Sequence, residues 1–251
     1  MTLSARRLRV SIGRHRVCDG LDCDIAPGQR WGVLGINGAG KTTLLSTLAG
    51  LRPADAGTLT LGGIGLDTLA PRERALQLGV MPQDDHDDPE TTVLETVLLG
   101  RLPHLRWWQA ESRRDIEFAR MALTTVGLQH MSARRAATLS GGERRRLALA
   151  VLLVQEAPLW LLDEPTSHLD LHQQIALLDL LTQLPQRTLV MVLHDINLAA
   201  RYCTHLLLLF GNGEAEAGPA ARMLDTAILS RLYRHTVCAV DTPRGKLYFP
   251  D

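Results

Sequence analysis

The sequence predicts an α/β fold organised around a phosphate-binding loop, and three observations lead to this prediction. Residues Gly35–Thr42 read GINGAGKT, which fits the pattern G-x-x-x-x-G-K-[ST]. The loop lies between an apolar run, Trp31–Leu34, and a helical segment that is expected to end at Gly50. Two more continuous apolar runs, Leu159–Leu162 and Thr188–Leu193, are typical of buried parallel strands.

Each residue type in the loop has a chemical reason. Glycines allow the backbone to curl until its N–H groups point at phosphate oxygens, and the helix start that follows adds partial positive charge. Lys41 is expected to reach the β- and γ-phosphates, and the Thr42 hydroxyl to ligate Mg²⁺. The chain has 27 lysines and arginines together, but only Lys41 and Lys246 are lysines, which singles out a position where a planar guanidinium would fit poorly. Unless the pattern is an accidental glycine-rich turn, the nucleotide contacts in this loop are Gly35, Asn37, Gly38, Ala39, Gly40, Lys41, Thr42 and Thr43.

Composition narrows the class of protein. A length of 251 residues is expected to form one domain with a large core. The formal net charge of zero and the aromatic content of 4% argue against a nucleic-acid-binding surface. No secretory signal is expected, and the longest apolar runs are well short of the ~20 residues that span a bilayer. The cysteines lack C-x-x-C spacing, so we expect apolar core residues rather than metal ligands at Cys18, Cys23, Cys203 and Cys238.

The elements outside the loop are predicted from periodicity. Leu8–Ile12 and Leu21–Ile25 alternate apolar and polar residues, as half-buried strands do. Further short apolar runs predict strands or strand pairs at Thr58–Leu61, Leu78–Met81, Leu206–Ala217 and Leu247–Phe249.

The pattern becomes helical between Asp84 and Pro158. Thr92 and Glu95 form a capping box at the start of one helix, and a longer helix is expected from Ala110 to Thr125. This segment predicts a helical subdomain inserted into the α/β core. The polar run Asp84–Asp88 is expected to be its entry loop, with metal binding as the alternative.

A second informative stretch is Leu139–Glu143, which reads LSGGE. Ser140 and Glu143 form a capping box, which predicts the start of a helix. A good N-cap is the simplest explanation of this stretch. However, Gly141 and Gly142 in the first turn cost helix stability, and a close approach of the backbone to an anion explains them better.

Acidic side chains and a histidine follow two of the predicted buried strands. Asp163 and Glu164 come after the Leu159–Leu162 strand, and His194 comes after the Thr188–Leu193 strand. Because ligands bind beyond the carboxyl ends of strands in open α/β sheets, these side chains are candidates for the site. Asp163 is expected to hold Mg²⁺ through water, and Glu164 to orient and deprotonate an attacking water. A helix cap for the two acids and a structural role for the histidine are the alternatives.

Taken together, these stretches resemble, in order and spacing, the motifs of the ATP-binding subunits of ABC transporters. The resemblance covers nearly the full length. It implies a P-loop NTPase (RecA-like) core with an antiparallel β subdomain, residues 1–83 and 158–251, and an inserted α-helical subdomain with the signature motif, residues 84–157. The motifs are Walker A at Gly35–Thr42, the Q-loop glutamine Gln83, the signature at Leu139–Glu143, Walker B at Leu159–Asp163, the catalytic glutamate Glu164, the D-loop at Ser167–Asp170 and the switch histidine His194.

The resemblance also implies ligands, partners and a location. ATP and Mg²⁺ are the implied ligands, and two copies are expected to pair head to tail with each ATP between Walker A of one copy and the signature of the other. Permease subunits are the implied membrane partners, a substrate-binding protein is an indirect one, and nucleic acid is not a partner. The implied location is cytoplasmic, peripheral on the inner face of the cell membrane. The implied site residues are Gln83, Glu164 and His194 for catalysis, Thr42, Gln83 and Asp163 for the metal, and Ser140, Gly141, Gly142 and Asp170 for the nucleotide of the other copy.

One position departs from the family pattern. The family usually places an aromatic residue on an early strand, where it stacks on adenine, and the aligned residue here is Ile12. Apolar contact would replace stacking worth roughly 1 kcal/mol, so we expect weaker affinity and base selectivity but unchanged phosphate chemistry.

A last stretch bears on the transported substrate. Residues 92–104, TVLETVLLGRLPH, resemble the V-x-E-x-V-x-x-G-R-x-P-[HW] segment of importer cassettes for iron–siderophore, haem, cobalamin and related metal-chelate or oxyanion substrates. The segment Leu224–Val237 also resembles the closing helix of those cassettes. The alternative is that Gly100 and Arg101 only end a helix with a C-terminal cation. The expected function is therefore the ATP-hydrolysing subunit that energises such an importer.

Two other classes stay open at this point. The ATPase subunit of an exporter is one, although exporters often fuse the cassette to the membrane domain. A non-transport ABC ATPase, such as a translation or DNA-repair factor, is the other. Such factors usually carry two cassettes or a long coiled-coil insertion, which 251 residues do not accommodate.

Overall fold

The computed structural model describes residues 1–83, 90–184, 187–243 and 245–251, so the predicted entry loop at Asp84–Asp88 lies outside the described residues. The strands are β1 (Leu3–Ile12), β2 (His15–Ile25), β3 (Arg30–Gly35), β4 (Ala56–Leu61), β5 (Ile64–Gly65), β6 (Leu78–Met81), β7 (Leu159–Leu162), β8 (Thr188–Val192), β9 (His205–Leu209), β10 (Ala215–Pro219), β11 (Val237–Thr242) and β12 (Gly245–Pro250). The helices are α1 (Lys41–Leu48), α2 (Pro71–Gln77), α3 (Val93–Leu99), α4 (Arg113–Thr125), α5 (Gly141–Gln155), α6 (Leu171–Gln183), α7 (Ile196–Tyr202), α8 (Ala220–Met223) and α9 (Thr226–Tyr233).

These elements divide into two compact units. The first consists of Met1–Leu69, Leu161–Glu164 and Gln186–Asp251, and the second of Ala70–Trp160 and Pro165–Pro185. The boundaries that the sequence predicts for the inserted subdomain, 84 and 157, stay a prediction.

In the first unit, an antiparallel sheet has the strand order β2-β1-β4-β5. Its inner face comes from the alternation in β1, where Leu3, Ala5, Leu8 and Val10 are each no more than 1% exposed. The register shifts between Ala5 and Leu8, where Arg7 takes a positive φ of 46°, and this bulge returns Leu8 to the buried face. The strands predicted at either side of the first turn are confirmed, and both are longer than the alternation alone indicated.

Parallel strands at the centre of a second sheet position the phosphate loop in the first unit. β3 pairs in parallel with β8 and with β9, so that Trp31 lies opposite Val190 on one side and His205 on the other. Every residue of β8 and all but the first of β3 are buried, which is why both strands read as continuous apolar runs. β7, whose residues Leu161 and Leu162 belong to this unit, neighbours β8. The sheet confirms the predicted α/β fold class and brings the ends of β3 and β8 side by side.

Three of the four cysteines, all of them in the first unit, behave as the predicted core residues. Cys18, Cys23 and Cys203 are buried, and Cys238 is partly exposed. Burial raises the pKa of the Cys203 thiol to about 12 and that of Cys18 to about 11. These thiols are therefore protonated at neutral pH and pack as small apolar side chains.

The last segment differs from the sequence prediction. The closing helix predicted at Leu224–Val237 is shorter, because α9 ends at Tyr233 and Arg234 takes the left-handed conformation with φ 54°. Val237 then begins β11, which pairs antiparallel with the predicted strand around Tyr248. The chain therefore turns back as a hairpin where the helical pattern appeared to continue.

The second unit is mainly helical, and its caps follow the sequence. Thr92 accepts a hydrogen bond from Glu95 N at 3.3 Å, as the predicted capping box requires. α4 begins at Arg113 rather than at Ala110, because Ser112 is the N-cap and accepts from Asp115 N at 3.3 Å. α2 is a helix that the sequence analysis did not identify.

Gly100 and Arg101 have structural roles in the second unit. A Cβ at Gly100 would lie 2.4 Å from Val151 O, so only glycine allows the end of α3 to approach α5 this closely. The Arg101 guanidinium is largely buried and bonds Asp115 Oδ1 at 2.9 Å, Val154 O at 2.8 Å and Glu156 Oε2 at 2.7 Å. The pair therefore does more than end a helix: it fastens α3 to α4 and α5.

No helix in the described ranges has the length and hydropathy needed to cross a bilayer.

Candidate active site

The predicted phosphate loop joins β3 to α1 with the curl that its glycines permit. Gly38 and Gly40 have φ values of 78° and 92°, in the left-handed region. A Cβ at Gly40 would lie 2.4 Å from Val17 Cγ2, whereas one at Gly38 would meet open space. β2 therefore packs directly against the loop through Val17, a contact that the sequence analysis did not anticipate, and the space beside Gly38 stays open.

Lys41 is the buried cation of this loop. It is 6% exposed, and its Nζ donates to Gly35 O at 2.9 Å and to Ile36 O at 3.2 Å. Burial lowers the pKa of the Lys41 ammonium, while the negative charges of Glu164 and Asp163 act in the opposite direction. The loop thus surrounds the Lys41 ammonium, and the two carboxylates favour its charged form.

Asp163, Glu164 and His194 belong to the same unit as the loop. Asp163 is 2% exposed directly after β7, and Glu164 follows with a positive φ of 47°. Glu164 Oε1 lies 2.7 Å from His194 Nε2, and the Glu164 side chain is 16% exposed against 48% for His194. The two acids do not cap a helix: the N-cap of the next helix, α6, is Asp170, whose Oδ1 accepts from Gln173 N at 2.8 Å.

Ser140, Gly141 and Gly142 begin α5 in the second unit. Ser140 accepts from Glu143 N at 3.3 Å and its own N donates to Glu143 Oε2 at 2.8 Å, so the predicted capping box is present. A Cβ at Gly142 would lie 2.9 Å from Gln173 Oε1, at the end of a flexible side chain, and 3.1 Å from Leu169 Cδ2. A Cβ at Gly141 would meet only the His168 Cβ at 3.8 Å. Gly141 therefore has the more open surroundings of the two glycines, and the approach of an anion to this helix start stays a prediction.

Arg145 is a residue of interest that the sequence analysis missed. This buried side chain of α5 donates to Pro82 O at 2.8 Å, to Ser167 Oγ at 2.9 Å and to Gln83 O. It therefore ties the predicted Q-loop and D-loop to the helix of the predicted signature, all within the second unit. The helical spacing from Arg145 to the buried Leu149 and Leu152 is the pattern that could have identified it.

The candidates thus fall into two groups. The structure brings together Lys41, Asp163, Glu164 and His194 with the loop residues Gly35, Asn37, Gly38, Ala39, Gly40, Thr42 and Thr43 in the first unit. The second unit carries Gln83, Ser140, Gly141, Gly142 and Asp170. Ile12 ends β1 in the first unit and is 44% exposed, so its side chain is accessible to a ligand.

The accessibility of Ile12 leads to a prediction on nucleotide affinity. Ile12→Tyr should tighten ATP binding about fivefold, because ring stacking on adenine is worth roughly 1 kcal/mol more than apolar contact. Hydrolysis per bound ATP should stay nearly unchanged. Equilibrium titration with a fluorescent ATP analogue, with ATP as competitor, measures the affinity.

Ile64→Tyr is the matched control, since Ile64 is 50% exposed on β5 of the same antiparallel sheet. It should leave the affinity as it is. Equal affinities of Ile12→Tyr and the unaltered chain would mean that another side chain packs on the base.

Known proteins resemble this chain in sequence and in fold. Residues 18–167 match the sequence model of the ABC transporter family. The chain is 38% identical to the hemin import ATP-binding protein HmuV of Myxococcus xanthus, covering 100% of this chain and 97% of that protein. It is 35% identical to the ferric enterobactin transport ATP-binding protein FepC of Escherichia coli, covering 97% and 93%. Its fold resembles a solved structure described as a metal-chelate type ABC transporter in an inward-facing conformation, with a TM-score of 0.86 and 27% identity over 100% of this chain and 97% of that one.

Proposed function

The chain belongs to the family of ABC transporter ATP-binding proteins, and on that premise we propose that it hydrolyses ATP to energise an importer of a metal chelate, such as an iron–siderophore, haem or cobalamin. The observation that carries the proposal is the similarity over the full length to ATP-binding proteins of hemin import and ferric enterobactin transport. The Gly100–Arg101 stretch supports the proposal less directly, because both residues have structural roles. Gly100 allows α3 to approach α5, and Arg101 bonds Asp115 of α4.

ATP is proposed to bind with its phosphates against the loop and the start of α1. The open space beside Gly38 lets backbone N–H groups approach the phosphate oxygens. Lys41 would exchange its two carbonyl contacts for the β- and γ-phosphates, which are stronger, charged acceptors.

The residues present also fit Mg²⁺. The Thr42 hydroxyl and the Asp163 carboxylate of the first unit are oxygen donors of the kind this ion prefers, and the Gln83 side-chain carbonyl is a third donor by the family resemblance alone. Asp163 is nearly fully buried and interacts with Lys41, as a carboxylate beside a phosphate site is expected to do. When bound, the ion would neutralise charge on the β- and γ-phosphates.

Hydrolysis is assigned to Glu164 with the help of His194. Glu164 would take a proton from a water whose oxygen attacks the γ-phosphorus, and the bond from that phosphorus to the bridging oxygen would break toward ADP. His194 lies 2.7 Å from the Glu164 carboxylate, so it can hold that carboxylate in one orientation. We propose that Gln83 couples the γ-phosphate to the second unit. Its backbone carbonyl accepts a hydrogen bond from Arg145 of that unit.

A second copy of the chain is proposed to complete the site. Ser140, Gly141 and Gly142 expose a helix N-terminus, and Gly141 has space for an anion to approach the backbone. In a head-to-tail dimer that anion is the γ-phosphate of ATP on the other copy, with Asp170 beside it. The inserted subdomain at 84–157 is proposed to move with this helix.

The permease is proposed to dock on the second unit, which places the protein peripherally on the cytoplasmic face of the membrane. A depression of about 120 Å³ lies between β6, α3 and α5 and is lined by Met81, Thr96, Leu147 and Val151 among others. It is mostly apolar and adjoins Pro82, next to the predicted Q-loop glutamine. A helix from a permease loop that inserts there would contact the stretch that responds to the γ-phosphate.

Reconstitution tests the proposed function. The chain, its permease and the corresponding binding protein should be placed in liposomes, and ATP turnover measured with ferric siderophore, haem, cobalamin, sugar, peptide or amino acid. We expect one metal chelate to stimulate turnover severalfold, and the stimulation to disappear when the chain carries Glu164→Gln. Stimulation by a sugar, peptide or amino acid, and by no metal chelate, would refute the substrate class and leave the ATPase assignment intact.

A further inference from the structure

Two of the four tryptophans project into solvent from a turn of the second unit. Trp31 and Trp160 are 3% and 0% exposed, whereas Trp107 and Trp108 are 92% and 63% exposed. Gln109 N donates to Arg106 O at 2.9 Å, which closes a β-turn with the two tryptophans at its central positions. Indole rings of this size are normally removed from water on folding, so their exposure points to a partner.

Ion pairs and burial hold the chain on both sides of the turn in place. Leu105, directly before it, is buried at 9% exposure. Arg101 pairs with Asp115 of α4 and with Glu156 after α5, so the chain on both sides of the turn is fastened. The hydrogen bond from Ser112, with help from Arg101, lowers the pKa of Asp115 and keeps that carboxylate charged at neutral pH. The rings are therefore presented outward by ordered structure.

The chemistry of the turn combines aromatic rings with positive charge. The two indoles meet edge to face with centroids 5.3 Å apart, and the Arg106 guanidinium lies 5.5 Å from the Trp108 ring centroid. Between 106 and 120 the exposed charged side chains are four arginines and two glutamates: Arg106, Arg113, Arg114, Arg120, Glu111 and Glu117. The segment thus offers apolar area, indole N–H donors and an excess of guanidinium groups.

We propose that this turn, Arg106–Gln109, inserts its indole rings into the headgroup region of an anionic phospholipid bilayer. Tryptophan favours that layer because its ring is apolar while its N–H can donate to headgroup oxygens. Lipid phosphates complement the arginines, each of which contributes attraction near an anionic surface. A projecting turn also suits a fluid lipid surface better than a groove on a protein, because such grooves typically receive a helix. The chain would then associate with the membrane in two ways, by direct contact with lipid and by binding a permease.

Intrinsic fluorescence tests this proposal on the full-length chain, because Trp107 and Trp108 are the exposed members of a set of four. The probes are vesicles of phosphatidylcholine with phosphatidylglycerol, vesicles of phosphatidylcholine alone, and both again with brominated acyl chains. We expect a blue shift and bromine quenching with the phosphatidylglycerol vesicles. Trp31 and Trp160 should stay unquenched and report that the fold is intact.

Variants separate the contribution of the indole rings to vesicle binding from that of the arginines. Trp107→Ser with Trp108→Ser should lower the vesicle-bound fraction in flotation about tenfold or more, given the apolar area that two indoles bury. Arg113→Gln with Arg114→Gln should weaken binding about fivefold per charge, and added salt should do the same to the unaltered chain. Leu51→Ser, at a 64% exposed leucine of the first unit, is the matched control and should bind as the unaltered chain does.

Three outcomes would overturn the proposal. The first is an absence of quenching in phosphatidylglycerol vesicles, and the second is equal binding to vesicles with and without that lipid. The third is a tryptophan double variant that binds vesicles normally but loses assembly with the permease, which would make the turn a protein-docking surface. ATP turnover of the isolated double variant should match that of the unaltered chain, as a check on folding.

Discussion

Glu164→Gln should bind ATP normally and turn it over at least about 100-fold more slowly than the unaltered chain. The amide keeps the size and hydrogen-bonding shape of the carboxylate, so contact with His194, now 2.7 Å away, can persist. What is lost is the basic oxygen that we propose accepts the proton of the attacking water, and such a base typically contributes about 10² to 10⁴ in rate. Because hydrolysis separates the proposed dimer, the variant should also accumulate as an ATP-bound dimer. Phosphate release and size-exclusion chromatography with ATP and Mg²⁺ measure the two effects.

Glu117→Gln supplies the matched control, since Glu117 is an exposed glutamate on α4. It should hydrolyse ATP at the unaltered rate and stay monomeric under the same conditions. If Glu164→Gln hydrolysed ATP as fast as this control, the assignment of the base would be wrong.

The phosphate loop and the strand ends could be predicted because they depend on local pattern. A continuous apolar run predicts a strand buried on both faces, and Asp163 and His194 follow such runs directly. Parallel pairing then determines which strand ends meet, because β3 and β8 run side by side and end at the same edge of the sheet. For this reason the proximity of the phosphate loop to His194 follows from the sequence and one rule of topology, whereas the place of Asp163 and Glu164 also depends on β7 lying next to β8.

Other features depend on packing between distant segments. Arg144, Arg145 and Arg146 differ only in helical phase, and the carbonyls of 82 and 83 determine that Arg145 is the buried one. The sequence predicts an anion beside Gly142, and the structure adds a neighbour, Gln173 of α6, whose Oε1 would lie 2.9 Å from a Cβ there. Because Gln173 lies in another helix, the sequence around Gly142 does not indicate this contact.

The end of α9 was missed for a different physical reason. Helices commonly end at a glycine in the left-handed conformation, but here Arg234 takes that conformation. Without glycine or proline at the boundary, the periodicity through Leu229, Leu232 and Tyr233 ran on to Val237. Only the pairing of β11 with β12 shows that Val237 belongs to a strand.

Lys41→Ala should fail at binding rather than at turnover. In the structure Nζ is held by Gly35 O and Ile36 O inside the loop, and two acids raise the local negative charge. Removing the ammonium leaves the phosphates facing Asp163 and Glu164 with one cation fewer. Charge-assisted hydrogen bonds to such groups are worth about 1.5–3 kcal/mol, so the dissociation constant for ATP should rise roughly 10- to 100-fold. Isothermal titration of the variant with ATP and Mg²⁺ measures this change.

The chain provides its own matched control for that loss, because Lys246 is the other lysine and is exposed on β12. Lys246→Ala removes the same charge from the surface and should leave ATP affinity unchanged, which separates a local effect from a change in net charge. Turnover at saturating ATP distinguishes two roles for Lys41. A normal dissociation constant with slow turnover would mean that the ammonium acts only on the transition state, contrary to its proposed contact with the bound β- and γ-phosphates.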